Sequence, residues 1–154
     1  MSPVDSSRIS QGSPSKMIYF GIFLTAMSTL LLEFTLTRVL SVSLWYHFAF
    51  MIISVALLGF GISGVILFRS KSLGKIPTGK LLSILGTIYG FSVIACFLLM
   101  GKIPFDPFSL MTDSMQFVYL PVYYLLITIP FLFAGLIISV ILTRFKSDVS
   151  KLYF

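Results

Sequence analysis

The sequence predicts an all-α integral membrane protein, a bundle of four transmembrane helices with both termini cytoplasmic. Three observations carry that prediction. From Val39 to Phe68 there is no Asp, Glu, Lys or Arg, a run longer than the ~20 apolar residues that cross a bilayer as a helix. The chain is 57% hydrophobic and 10% charged, with a mean hydropathy of +1.03, whereas an ordinary soluble domain has roughly 25% charged residues. Its basic residues cluster beside the apolar runs, the distribution that orients membrane helices. The net charge of +6 is therefore assigned to topology, and no nucleic-acid partner is expected.

The opening residues MSPVDSSRISQGSPS are rich in Ser and Pro and lack apolar periodicity. They read, through Lys16, as a disordered cytoplasmic tail. The first span runs from Met17 to about Thr37. It is too long for a cleaved signal peptide, and Glu33 and Arg38 occupy the region where a small-residue cleavage site would belong. The second span runs over about 44–68, the third over about 81–100 and the fourth over about 118–143. Residues 144–154 form a cytoplasmic end. These spans use most of the 154 residues, so no separate soluble domain fits.

Orientation follows from the basic residues. With both termini inside, Arg8, Lys16, Arg69, Lys71, Lys75, Lys80, Arg144, Lys146 and Lys151 are cytoplasmic, and only Arg38 and Lys102 are outside. The loop from Arg69 to Lys80 carries no acid. The outer loop from Gly101 to Gln116 holds Asp106 and Asp113, with Pro104 and Pro107 interrupting any helix. Trp45, Tyr46, Tyr119, Tyr123 and Tyr124 then gather as an aromatic belt at the outer interface. The expected location is the inner or plasma membrane.

Glu33, Arg38, His47, Asp106 and Gln116 all fall toward that outer side and form a candidate polar pocket. Ionisable groups near hydrocarbon are costly and raise a functional suspicion. Counted from Met17 at ~1.5 Å per residue, Glu33 lies roughly 24 Å along a ~30 Å hydrocarbon core. Ala26, Thr29, Glu33 and Thr37 share one face, which should look toward the other helices. Arg38 is about 140° around the helix from Glu33, so it is expected to snorkel toward headgroups. Glu33 then needs His47 or Tyr123 as a partner, or stays protonated in a low dielectric. For Glu33 a helix-packing contact outweighs a binding role, and for His47 a capped interfacial histidine beside Trp45 and Tyr46 outweighs a titrating one.

The segment GFGISG, Gly59 to Gly64, matches the spacing of a dinucleotide-binding turn. That reading needs an acidic residue roughly 20 positions further on, and no Asp or Glu occurs between Glu33 and Asp106. Ala56, Gly59 and Ser63 instead supply a small-residue face for close helix approach. Gly86 and Gly90, with Ser83, repeat the device in the third span, as do Gly135 and Ser139 in the fourth. Pro130 should free the carbonyl of Leu126 and kink the last helix.

No catalytic constellation emerges. A single His and a single Cys in different spans cannot build a typical zinc site. There is no nucleophile elbow, phosphate loop or oriented carboxylate pair. Cys96, alone in a hydrophobic span, reads as a buried and inert thiol. Neither a metal nor a cofactor is expected in this chain.

The strings LLLEFTLTRVLSV, LWYHFAFMIISVALLGFGISG, PFDP, YLPVYYLLITIPFLFAGLIIS and KLYF resemble bacterial multi-pass membrane proteins of the spermidine synthase-like family. The resemblance covers roughly Thr25 to Phe154, with Arg69 to Met100 matching only in character. In that family a membrane region precedes a soluble aminopropyltransferase-like or methyltransferase-like domain. The resemblance therefore implies a non-catalytic amino-terminal part whose chain continues beyond KLYF. The nucleotide-binding glycines and acidic residues of the family's soluble domain have no counterparts here, so no catalytic residue carries over. Expected partners are the lipid bilayer, a downstream or separate soluble enzyme domain, and further copies of the chain. The rival reading is a small four-span cation or polyamine transporter using Glu33.

Overall fold

In a computed structural model the chain forms four α-helices, α1 (Lys16–Leu44), α2 (His47–Arg69), α3 (Thr78–Met100) and α4 (Gln116–Arg144). The structure describes residues 16–44, 47–70, 76–103 and 114–144, and no strand occurs among them. Each helix contains a segment long and apolar enough to cross a membrane. The fold is therefore the all-α, multi-pass class that the sequence predicts.

Helix boundaries follow local chemistry. Helix α1 runs past the predicted end at Thr37 to Leu44, because the segment from Arg38 to Leu44 contains neither Gly nor Pro to stop it. Helix α3 begins directly after Pro77, whose ψ of 136° is non-helical, and ends at Met100. The N–H of Gly101 donates to the carbonyl of Phe97 at 3.3 Å, closing that end. Helix α4 continues through both Pro121 and Pro130. A membrane helix tolerates the lost N–H donors because neighbouring helices and Ser/Thr side chains compensate. Pro130 is itself buried.

Apolar residues cover the helices on every side. Phe20, Phe34, Phe50, Phe68, Phe91 and Leu125 all project outward, the arrangement of helices solvated by lipid rather than water. Several hydroxyls inside this apolar surface are satisfied locally. The hydroxyls of Thr25, Ser54, Thr87, Thr128 and Thr143 each donate to the carbonyl four residues earlier, as expected where no water is at hand.

Two core clusters show how the helices are arranged. At one end Leu81, Leu85 and Tyr89 of α3 meet Ile137, Val140 and Ile141 of α4, with Ile22 of α1 and Ile66 of α2 packed against them. At the other end Leu32, Leu36 and Leu40 of α1 meet Met51, Ile52 and Val55 of α2, Cys96 and Met100 of α3, and Tyr123, Ile127 and Phe131 of α4. The start of α1, the end of α2, the start of α3 and the end of α4 therefore share one end. Helices α2 and α4 consequently run parallel and form the closest pair in the bundle; α3 packs on α4 and α1 on α2.

The α2–α4 contact rests on small residues. A Cβ added at Gly59 would lie 2.8 Å from the Cβ of Phe131 and 2.9 Å from the backbone nitrogen of Leu132. One turn along, a Cβ on Gly135 would lie 2.6 Å from the Oγ of Ser63 and 2.9 Å from a ring carbon of Phe60. The Oγ atoms of Ser63 and Ser139 are 3.5 Å apart. Gly59 and Ser63 on α2 thus interlock with Gly135 and Ser139 on α4 at a spacing of four residues, which lets the two backbones approach closely.

The third small-residue motif behaves differently. Gly86 and Gly90 are exposed, and a Cβ at either would meet nothing within 4 Å. Neither glycine therefore packs against a described helix of this chain. Helix α3 meets α4 through its larger side chains Leu81, Leu85 and Tyr89, so Gly86 and Gly90 lie away from that contact.

Candidate functional site

Glu33 lies near the middle of α1 and Arg38 nearer its end, and His47 and Gln116 open α2 and α4 at the end of the bundle where α1 and α3 finish. Glu33 is half-buried on α1. Ala26 and Thr37 are half-buried as well, and Thr29 is buried, whereas Met27, Leu30, Leu31 and Phe34 are exposed. The predicted inward face is therefore present. Glu33 has no hydrogen bond or ion pair with any described residue. Arg38 is exposed and likewise has no such partner among the described residues.

Gln116 opens α4 and is buried, and it is engaged by a partner. His47 opens α2, but its side chain lies outside the described residues, as do Asp106, Trp45 and Tyr46. Glu33 thus sits half-buried on α1, Arg38 at the periphery and Gln116 at the packed start of α4. Tyr123, expected in an interfacial belt, is instead buried in the core cluster with Leu36 and Ile127. Its position on α4 one turn before Ile127 turns it toward α1 and α2.

A polar cluster that the sequence reading missed joins α1 to α3. The hydroxyl of Tyr89 donates to the Oγ of Ser28 at 3.1 Å and lies 3.4 Å from the Oγ1 of Thr29. Thr29 in turn donates to the carbonyl of Thr25 at 2.7 Å. The signal was available: Tyr89 sits at the centre of an apolar span, and a buried phenol hydroxyl needs a partner. Because α1 and α3 barely touch through their backbones, the long Tyr89 side chain is what bridges them.

That contact also fixes the level of Glu33. Tyr89 is the middle residue of α3 (Thr78–Met100), and Glu33 is one turn beyond Thr29. Glu33 therefore lies within about 6 Å of the mid-level of α3, nearer the middle of the bundle than the count from Met17 suggests. Cys96 is buried with its thiol directed at the sulfur of Met100, 3.7 Å away. Among the described residues no group of three His, Cys, Asp or Glu side chains could hold a metal ion.

The fold and these contacts define a class, a multi-pass helical membrane protein with a tightly interlocked α2–α4 pair and, among the described residues, one half-buried carboxylate. No protein-family model, curated protein or solved structure matches the chain.

Proposed function

We propose that the chain is the non-catalytic membrane module of a spermidine synthase-like protein, with both termini cytoplasmic, and that it anchors or positions a soluble enzyme domain. The observation that carries this reading is the organisation of the polar groups. The hydroxyls bond their own helices or tie helices together, and the interior is devoted to close packing of α2 on α4. An anchor needs a rigid bundle and no reaction centre. The sequence strings quoted above supply the family, and the basic residues of the loop from Arg69 to Lys80 supply the orientation.

The test is to tag the chain at Met1 in its own cell and purify it in mild detergent. The expected result is a product heavier than 17.2 kDa that carries a further domain, or copurification with a soluble aminopropyltransferase-like or methyltransferase-like enzyme. A 17.2-kDa product purifying without such an enzyme would overturn the reading.

One observation favours a second reading, a small cation or polyamine transporter. Glu33 is half-buried, without a partner among the described residues, and near the bundle's mid-level, where an exchange carboxylate would have to sit. Vesicles containing only this chain would then show proton-driven efflux of a polyamine that Glu33→Gln abolishes. Equal efflux from empty vesicles would remove this reading.

A further inference from the structure

An open groove of about 550 Å³ runs between α1 and α3 at the end of the bundle where both helices begin. Its walls include Gly21 and Thr25 of α1 and Gly79, Ser83 and Gly86 of α3, and Ile141 of α4 forms part of its floor. The groove exists because small residues line the facing sides of α1 and α3 while Tyr89, higher up, holds the two helices at a distance. Its wall is overwhelmingly apolar, and its length follows the helix axes from Gly79 to Gly86, about 10 Å at the α-helical rise.

The mouth of this groove is cationic. Arg144 lies three residues past Ile141 on the same face of α4, and its guanidinium donates to the Oγ1 of Thr78 at 2.8 Å. Thr78 adjoins Gly79, so the guanidinium is held at the groove's end. Lys80, next in sequence to the lining residue Gly79 and one turn before Ser83, is exposed. Arg69 ends α2 at the same end of the bundle, and the sequence flanking the helix ends gathered there, residues 1–16, 69–80 and 144–154, holds nine Lys and Arg against the two acids Asp5 and Asp148.

We propose that this groove is a binding site for one anionic phospholipid of the leaflet at that end, with an acyl chain between α1 and α3 and its phosphate on Arg144 and Lys80. The inference rests on the membrane-module reading. An apolar slot open along its length suits a hydrocarbon chain, and a guanidinium at its end suits a phosphate, which its fork of N–H donors matches in geometry. Basic side chains at the membrane surface favour anionic over zwitterionic headgroups. The charge at the mouth, rather than the apolar wall alone, selects the occupant.

The experiment is native mass spectrometry of the full chain released from vesicles of equal parts phosphatidylglycerol and phosphatidylcholine. The expected result is one retained phosphatidylglycerol, enriched about tenfold over phosphatidylcholine. Lys80→Gln should reduce the enrichment several-fold and Arg144→Gln should reduce it further, whereas Arg38→Gln at the opposite end should leave it unchanged. Gly86→Leu, whose new side chain projects into open space in the groove, should displace the lipid with both cations intact. Equal retention of the two lipids, or unchanged retention in both Lys80→Gln and Gly86→Leu, overturns the proposal. So does a dimer that Gly86→Leu dissociates, which would make a second copy the occupant. Carbonate extraction of the same preparations separates the two failures: a chain that stays in the membrane without lipid preference refutes only the groove, whereas a chain that washes off refutes the membrane module.

Discussion

Ser63 and Gly135 meet so closely that the missing Cβ of Gly135 would fall 2.6 Å from the Ser63 oxygen. That oxygen already donates to the carbonyl of Phe60 at 2.6 Å, so it cannot swing aside without losing a bond. The contact leaves room for hydrogen at position 135 and little else.

Gly135→Val and Gly59→Val should therefore each destabilise the bundle by about 2–3 kcal/mol through overpacking. Gly61→Ala, at a position where a Cβ meets nothing, should be neutral or slightly stabilising, because Ala favours the helix. Unfolding in detergent titrated with SDS measures all three. Equal stability across the set would show that α2 and α4 do not approach as described.

Phe131 and Phe68 give a second contrast. Phe131 is 0% exposed at the α2–α4 contact, and Phe68 is 93% exposed. Phe131→Ala should cost about 3 kcal/mol and Phe68→Ala less than about 0.5 kcal/mol. The same titration reads the difference, and reversed values would contradict the placement of the two rings.

The Tyr89 bridge is weaker. Tyr89→Phe removes the contact with Ser28 and leaves the Thr29 bond to Thr25 in place, so a loss of about 0.6 kcal/mol is expected. A double-mutant cycle with Ser28→Ala should return most of that loss as coupling. Zero coupling would mean that the hydroxyl bonds elsewhere.

Glu33→Gln should leave stability unchanged within about 0.5 kcal/mol, since no described residue pairs with the carboxylate. A loss several times larger would reveal a partner that the helix packing alone does not show.

Cys96 is 1% exposed and directed at Met100. In intact vesicles it should resist a membrane-permeant maleimide and react fully after SDS denaturation. Rapid labelling in the native state would place Cys96 on the lipid-facing surface.

Hydropathy and the small-residue spacing made the four helices and the Gly59–Ser63 and Gly135–Ser139 faces legible before any coordinates. Hydropathy could not rank the faces of α3, because every side of that helix is apolar, and so Gly86 and Gly90 were read as packing against a neighbour when they are exposed. The inward face of α1 was legible from Ala26, Thr29, Glu33 and Thr37, whose small or polar character breaks an otherwise uniform surface. The partners of these residues were not, since Ser28 meets Tyr89 across 61 residues of sequence and no local pattern encodes that pairing. Arg144 bonding Thr78 escaped for the same reason.

The parallel α2–α4 interlock also bears on how the protein is made. Its two halves, around Ser63 and Ser139, are 76 residues apart in the chain, with α3 synthesised between them. During translation α2 must therefore enter the bilayer and wait with its glycine face unmatched until α4 leaves the ribosome. That tightly fitted contact cannot form before α4 is made, and a chain interrupted before Gly135 would offer the bare face to whatever helix drifts past.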